Sequence, residues 1–303
     1  MSSYLEPLAS QGDIYYHRLT EAMKHAFAIR LSLGDPMFVN STGPINALLS
    51  DKYMNSLRQS TNDFSVLPIE KYGGIYNVKY SSKTDHGTTH LSVIDKNGNA
   101  IALTTTINTY FGSKVVSPST GILFNNQMDD FSVPNSVGNF FNLAPSPQNF
   151  PEPFKRPLSS MSPSIVLKEN GDIRLIGGAS GGPRIITSTV QVILNFIGRG
   201  KSLLESFQEP RIHSQLFPQE VELEHQHLIS GLSIIAGSNI KKMLLSRNHN
   251  ISESPQSMGV TQFISKNCYL YLISLIFNKG VNSDTNLIEA VSDPRKNGKP
   301  FGL

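Results

Sequence analysis

Gly87-Thr88-Thr89-His90 marks the point where a polar, glycine-closed segment gives way to a strand. Upstream, Ser81-Ser82-Lys83-Thr84-Asp85-His86-Gly87 contains no apolar residue and reads as an exposed, flexible linker. Downstream, Leu91 and Val93 on one side and Ile101 and Leu103 on the other flank Lys96-Asn97-Gly98-Asn99. An Asn-Gly pair between β-rich runs is a strong hairpin signal, so Thr88 opens a predicted hairpin. Two β-branched residues commonly do no more than start a strand. A second reading is that the Gly87–Thr88 bond is cut, which makes Thr88 an N-terminal nucleophile whose freed amine is its own base.

The 303 residues, 39% of them hydrophobic, suffice for a core in one or two domains. Basic and acidic residues number 26 and 23, a net charge of +3, with no basic cluster longer than pairs such as Lys241-Lys242. That balance argues against nucleic acid and anionic membranes as partners. Cys268 is the single cysteine, so no intrachain disulfide forms, and its apolar neighbours suit an inert thiol better than a nucleophile. Met1 to Pro7 has neither a charged n-region nor an apolar h-region, so a signal peptide is not expected. Asn40-Ser41-Thr42 and Asn250-Ile251-Ser252 fit the glycosylation sequon.

Working outward, Leu19, Met23, Ala26, Phe27 and Ile29 predict a packing helix over 16–33, stopped at Gly34-Asp35-Pro36. Thr42-Gly43-Pro44 starts a second helix carrying Ile45, Leu48, Leu49, Tyr53 and Leu57. Residues 1–87 thus read as helical, without a sheet of their own, and as the trailing end of something larger. Beyond the hairpin, Gly121 to Phe131 runs from a strand into a patch of amides and carboxylates, either a solvated turn or a pocket for an ammonium group. Residues 133–163 read as one long loop. Ser164–Leu167 and Asp172–Ile176 flank Asn170-Gly171 and predict a second hairpin. Gly177 to Pro183 then opens a helix with Ile186, Val190, Ile193 and Ile197 on one face. Glycines before a helix let backbone N–H groups approach a ligand and steady an oxyanion, although a plain turn is the commoner outcome.

Gly178-Ala179-Ser180-Gly181-Gly182 also fits the G-x-S-x-G nucleophile elbow, which would make Ser180 the nucleophile of a serine hydrolase. That fold needs parallel strands joined by crossover helices, whereas this sheet reads as hairpins. No histidine follows Asp284 or Asp293; Glu220, Glu222 or Glu224 followed by His225 or His227 gives the required order.

Taken together, these segments resemble the gamma-glutamyltransferase (glutathione hydrolase) family of N-terminal nucleophile hydrolases. The resemblance rests on Asp85 to Val93, Thr106 to Gly112, Gly121 to Phe131, Arg156 to Pro163 and Gly178 to Ile186, with Pro210 to Pro218 and Ala290 to Lys296 in agreement. It covers residues 16–36 and most of 85–303.

The resemblance implies an α+β, αββα N-terminal nucleophile (Ntn) hydrolase sandwich, incomplete because the N-terminal large-subunit portion is absent. Residues 1–87 correspond to the tail of that portion and 88–303 to the catalytic small subunit. It implies that Thr88 is the nucleophile, released by self-cleavage after Gly87, and that Thr106 orients it. Asn108, Gln127 and Asp130 are implied to hold the substrate's α-amino group, Ser159 and Ser160 its α-carboxylate, and Gly181 and Gly182 the oxyanion. The implied reaction moves the γ-glutamyl group of glutathione to water, an amino acid or a dipeptide, with no metal or cofactor. Pairing with a large-subunit-like chain and an outward-facing location, membrane-anchored or secreted, are also implied.

Three departures accompany the resemblance. The family's α-carboxylate arginine belongs to the absent portion, and Arg18, Arg30 and Arg58 do not sit in its motif. Cys268 to Phe277 is almost wholly apolar, with extra residues up to Asn286 where the family joins its last strands more directly, and reads as an insertion, an extended buried strand or a gene-model artefact. The chain ends Pro300-Phe301-Gly302-Leu303, where the family commonly ends in Gly-Tyr. A catalytically inactive truncated member and a serine hydrolase are the alternatives.

Overall fold

The computed structural model describes residues 12–77, 80–81, 87–134, 144–228, 230–268, 286–296 and 299–301. Residues 82–86 of the expected linker, 269–285 of the apolar insertion, 135–143 of the long loop and the termini lie outside them.

The helices are α1 (Ile14–Arg30), α2 (Thr42–Leu48), α3 (Asp51–Ser60), α4 (Arg184–Ile193), α5 (Leu203–Gln208) and α6 (Ser238–Leu245). The strands begin with β1 (Tyr80–Ser81), β2 (Thr88–Ile94), β3 (Ala100–Thr106), β4 (Ala144–Pro145), β5 (Ser164–Leu167) and β6 (Ile173–Ser180). They continue with β7 (Ile212–His213), β8 (Val221–His227), β9 (Ser233–Ile235), β10 (Ile251–Ser254), β11 (Val260–Cys268) and β12 (Asn286–Ser292).

A four-stranded antiparallel sheet of order β12-β11-β6-β5 is the centre of the molecule. One face is covered by α4 and α5, where Val192, Phe196, Leu203 and Phe207 pack on Leu175 and Phe263. The rings of Phe207 and Phe263 meet edge to face at 6.0 Å. Burial of such a side chain contributes about 1.5–3 kcal/mol. The β2–β3 hairpin lies on the other face. Ser92 Oγ donates to Gln262 O at 3.3 Å, and His90 lies so close over Gly178 that a Cβ there would stand 2.5 Å from the imidazole. A second sheet of order β10-β8-β7, with β9 on β8, packs against α1 and α6 through Tyr15, Leu19, Met23, Val221, Leu223 and Leu244.

The hairpin is inverted relative to one facing water. His90 is buried and Ser92 half-buried, while Leu91, Val93, Ile101 and Leu103 are 44%, 49%, 59% and 47% exposed on the outer side. A solvated antiparallel face is normally the polar one, so this face is composed for a covering layer.

Several expectations need correction. The helix from Thr42 is two, because the chain breaks at Leu49 and Ser50 starts α3 by accepting from Tyr53 N. The described residues before Gly87 form no sheet among themselves, but Tyr80–Ser81 add a short strand, β1, that pairs in parallel with β4 of the later chain. Leu123 makes only an isolated bridge to Val116, not a strand. Gly177 to Ser180 belong to β6, so only Gly181-Gly182 form the turn into α4. The buried residues of α4 are Ile185, Thr187, Ser188, Thr189, Gln191 and Val192; Ile186, Val190 and Ile193 are half-buried and Ile197, beyond the helix, is exposed.

Candidate active site

The site begins where the hairpin begins. Pairing of β2 and β3 sets Thr88 opposite Thr106, a register fixed by the turn around Gly98, whose φ is +85°. Thr106 Oγ1 donates a short hydrogen bond to Gly87 O, the carbonyl of the bond before Thr88. Asn108 N in turn donates to Thr106 Oγ1 at 2.8 Å, which leaves the threonine's proton directed at that carbonyl. Gly87 has φ +135°, and a Cβ on it would lie 2.2 Å from Asn108 O. Glycine is therefore demanded both by conformation and by space.

Asn108 carries the next step. It is buried with φ +77°, a region that asparagine tolerates better than most residues. Its Nδ2 donates to Asn126 O at 3.1 Å, while its Oδ1 has no hydrogen-bond partner among the described residues. An unpaired buried acceptor costs stability, and a donor supplied by a ligand relieves that cost. Gln127 and Asp130 follow in a single 3-10 turn, Gln127–Asp130, and Gln127 Nε2 donates a short bond to Asp130 Oδ2. Asn149 joins this turn to the next segment, giving Nδ2 to Asp130 O at 2.8 Å and receiving Leu158 N at 2.9 Å.

Ser159 and Ser160 lie in the loop beyond Leu158. Ser159 Oγ accepts from Met161 N at 3.1 Å, and Ser160 Oγ accepts from Arg30 at 3.0 Å. Neither hydroxyl proton is given to an acceptor among the described residues, so both remain to be donated. Asp35 anchors the loop by taking Arg156 N, Nε and Nη2 at 2.8–2.9 Å. These bonds from Arg156 hold the Asp35 carboxyl well below the usual carboxylate range.

Gly181 and Gly182 have φ of +129° and +59°. Among the described residues, neither N–H is taken by a backbone or side-chain acceptor. The Cβ that Gly181 lacks would come within 2.9 Å of Gly259 Cα. His90 links this part to the hairpin, with Nδ1 at 2.7 Å from Thr104 Oγ1 and Nε2 at 3.1 Å from Ser92 Oγ. Burial pushes its pKa down to about 4, so it is neutral at physiological pH.

Ser180 is a buried residue at the end of β6, paired antiparallel with Val260, not the tip of an exposed elbow. The acids and histidines that would serve it are engaged elsewhere: Glu222 with Arg184, Glu224 with Arg295, His225 with Glu253 and His227 with Ser233. His17, Glu21 and His249 come close enough to hold a metal, yet their ligand atoms are already engaged with each other or with Asn62, Lys24 and Tyr72. His17 Nε2 donates to Asn62 O and its Nδ1 meets His249 Nε2, at 2.8 Å each, His249 Nδ1 faces Lys24 Nζ at 3.3 Å, and Glu21 accepts from Lys24 and Tyr72. Lys24 supplies the cation, and a cleft of about 150 Å³ opens over it and His249.

Sequence reasoning did not find Asn126, Asn149 or the contact of Arg30 with Ser160. Asn126 lies in the amide-rich run from Gly121 to Phe131, whereas Asn149 and Arg30 carry no local signal.

Residues 2–303 match the profile of the Gamma-glutamyltranspeptidase family. The chain belongs to that family. It is 39% identical to glutathione hydrolase 2 of Arabidopsis thaliana over 305 residues, which is 100% of this chain and 50% of that relative. A second Arabidopsis thaliana relative, 45% identical over 64% of this chain and 100% of its own, is named as a suspected inactive glutathione hydrolase 4. This gamma-glutamyltranspeptidase-family chain spans about half the length of the first curated relatives it matches. A solved mutant of the Helicobacter pylori gamma-glutamyltranspeptidase aligns at 36% identity with a TM-score of 0.55, over 68% of this chain and 99% of that one. Cephalosporin acylase from Bacillus halodurans aligns over 97% of this chain and 47% of its own, with TM-score 0.69 and 22% identity, a likeness of fold alone. The fold is the α+β fold of this family and of Ntn hydrolases.

Proposed function

We propose that this chain cleaves itself at Gly87–Thr88 and then acts as a glutathione hydrolase and γ-glutamyl transferase with Thr88 as nucleophile. The observation that carries the reading is the hydrogen bond from Thr106 Oγ1 to Gly87 O, which polarises the one carbonyl that Thr88 must attack. In the first step, Thr88 Oγ adds to the Gly87 carbonyl carbon and Thr106 steadies the oxygen. The C–N bond then breaks, the Thr88 nitrogen takes the proton given up by the Thr88 hydroxyl, and an ester remains. Water hydrolyses it, leaving a carboxylate on Gly87 and a free amine on Thr88.

In the second phase that amine takes the Thr88 hydroxyl proton as the oxygen attacks the γ-carbonyl of the substrate. The N–H groups of Gly181 and Gly182, which have no described acceptor, receive the oxyanion. The cysteinylglycine amine leaves with the proton, and water or an amine acceptor takes the glutamyl group from the acyl-enzyme. Asp130 supplies charge for the substrate ammonium, with Gln127 Nε2 holding its Oδ2, and the unpaired Asn108 Oδ1 is a further acceptor for that group. The free protons of Ser159 and Ser160 suit its α-carboxylate. Residues 1–87 act as the tail of a large-subunit-like region and 88–303 as the catalytic region.

A second reading, an inactive family member, is favoured by the uncovered apolar face of the hairpin and by the suspected inactive relative. Peptide mapping after treatment with a glutamate-like acylating electrophile separates the readings. An adduct on Thr88 supports the proposal, no adduct supports inactivity, and an adduct on Ser180 makes the protein a serine hydrolase.

A further inference from the structure

Arg30 is the last residue of α1, and Asp35, just beyond it, holds the loop that carries Ser159 and Ser160. The guanidinium donates to Ser160 Oγ at 3.0 Å across 130 residues of sequence. An arginine cannot accept a hydrogen bond, so this contact fills a lone pair of the serine and turns its proton outward. Asn149 ties the turn of Asp130 to Leu158, so the turn and the serine loop are fixed to each other as well as to α1. We propose that Arg30 is a positioning residue that fixes Ser160 as a donor and places a positive charge behind the carboxylate half of an α-amino-acid site whose ammonium half is Asp130. The inference rests on the γ-glutamyl reading above and assigns a residue of this chain to carboxylate selection. Burial pulls the Arg30 pKa down to about 10 and Asp130 opposes that pull, so the charge is retained at neutral pH and is felt by Asp130.

The consequences for the two halves have opposite signs. Removing the cation weakens attraction for a carboxylate and frees Asp130 to attract an ammonium. A residue that merely holds the fold would weaken both.

The test measures binding of L-glutamate, glutarate and 4-aminobutyrate to the full purified chain by calorimetry, with Arg30→Met and Arg30→Lys as variants. Glutarate lacks the α-amine and 4-aminobutyrate lacks the α-carboxylate. For Arg30→Met, L-glutamate and glutarate are expected to bind about tenfold more weakly, the scale of one charge-assisted hydrogen bond. Binding of 4-aminobutyrate should be unchanged or slightly tighter. Arg30→Lys, which keeps charge but not the planar fork, should lie between. Circular dichroism and the denaturant unfolding midpoint, compared with the parent, check that each variant is folded. The inference is overturned if L-glutamate binds both variants as it binds the parent, or if all three ligands weaken alike. A parent that binds none of them removes the γ-glutamyl reading and this inference together.

Discussion

Replacing Gly87 with alanine should nearly abolish separation of the chain at Gly87–Thr88. The added Cβ would lie 2.2 Å from Asn108 O and 2.8 Å from Thr109 C and Cα, all backbone atoms that cannot swing aside. Ordinary contacts lie near 3.5 Å, so the residue must shift by about 1 Å. A misplacement of that size costs about 10²-fold in rate. The φ of +135° adds a second cost, because alanine relaxes toward negative φ and takes the carbonyl away from Thr106 Oγ1. Loss of one oxyanion donor costs about 10²–10³-fold, so both routes converge on a cleavage rate lower by roughly two to three orders of magnitude. Gly98→Ala is the control: its φ is +85°, but no atom lies within 4 Å of the new carbon. It should carry strain without slowing cleavage. The assay is a time course of intact mass for the purified chains, with circular dichroism to check the fold. A Gly87→Ala chain that splits within about fivefold of the parent rate, far inside that 10²-fold expectation, would refute the reasoning. Equal slowing by Gly98→Ala would do the same.

Asp293 is buried between Arg211 and Arg295, at 2.8 and 3.1 Å, and these arginines outweigh burial to hold its carboxyl below the usual range. Asp293→Ala leaves the buried Arg211 guanidinium without a carboxylate partner among the described residues, while Arg295 keeps Glu224, and should destabilise the protein by about 3–5 kcal/mol, measured by denaturant unfolding; a loss under about 1 kcal/mol would contradict this. His25, His90 and His213 are each pushed down to about 4, chiefly by burial. A lowered histidine favours the folded state fully above about pH 6.5, and that contribution shrinks as pH falls toward 4, because the unfolded chain binds the protons first. The unfolding midpoint should therefore drop between pH 6.5 and 4, and a flat profile there would count against the burial argument. The exposed Leu91, Val93, Ile101 and Leu103 should drive self-association of the chain expressed alone, reduced when Val93 and Ile101 are changed to threonine. Sedimentation velocity showing a clean monomer for the parent would contradict that.

The hairpin was legible because Asn97-Gly98 encodes its turn locally, and the second hairpin because Asn170-Gly171 does the same. The carboxylates, amides and serines of the candidate site stood out as clusters within short segments. What joins those segments did not, since Arg30 meets Ser160 and Asn149 meets Asp130 only through tertiary packing. The α4 helix misled for a related reason. Thr187 and Gln191 are buried polar residues, made tolerable by bonds to His213 Nδ1 at 2.8 Å and to Ile212 N and O at 3.0 and 2.9 Å. Apolar periodicity alone therefore chose the half-buried face. The ion cluster of Arg211, Glu224, Asp293 and Arg295 was equally hidden, because charge in a sequence normally signals solvent.

Intact-mass measurement of the purified parent chain beside Thr88→Ala tests the central claim most directly. The parent should yield two pieces, one ending at Gly87 and one beginning at Thr88, and the variant should stay whole. A parent that remains a single species, or a Thr88→Ala chain that divides at the same bond and consumes glutathione, would contradict the account.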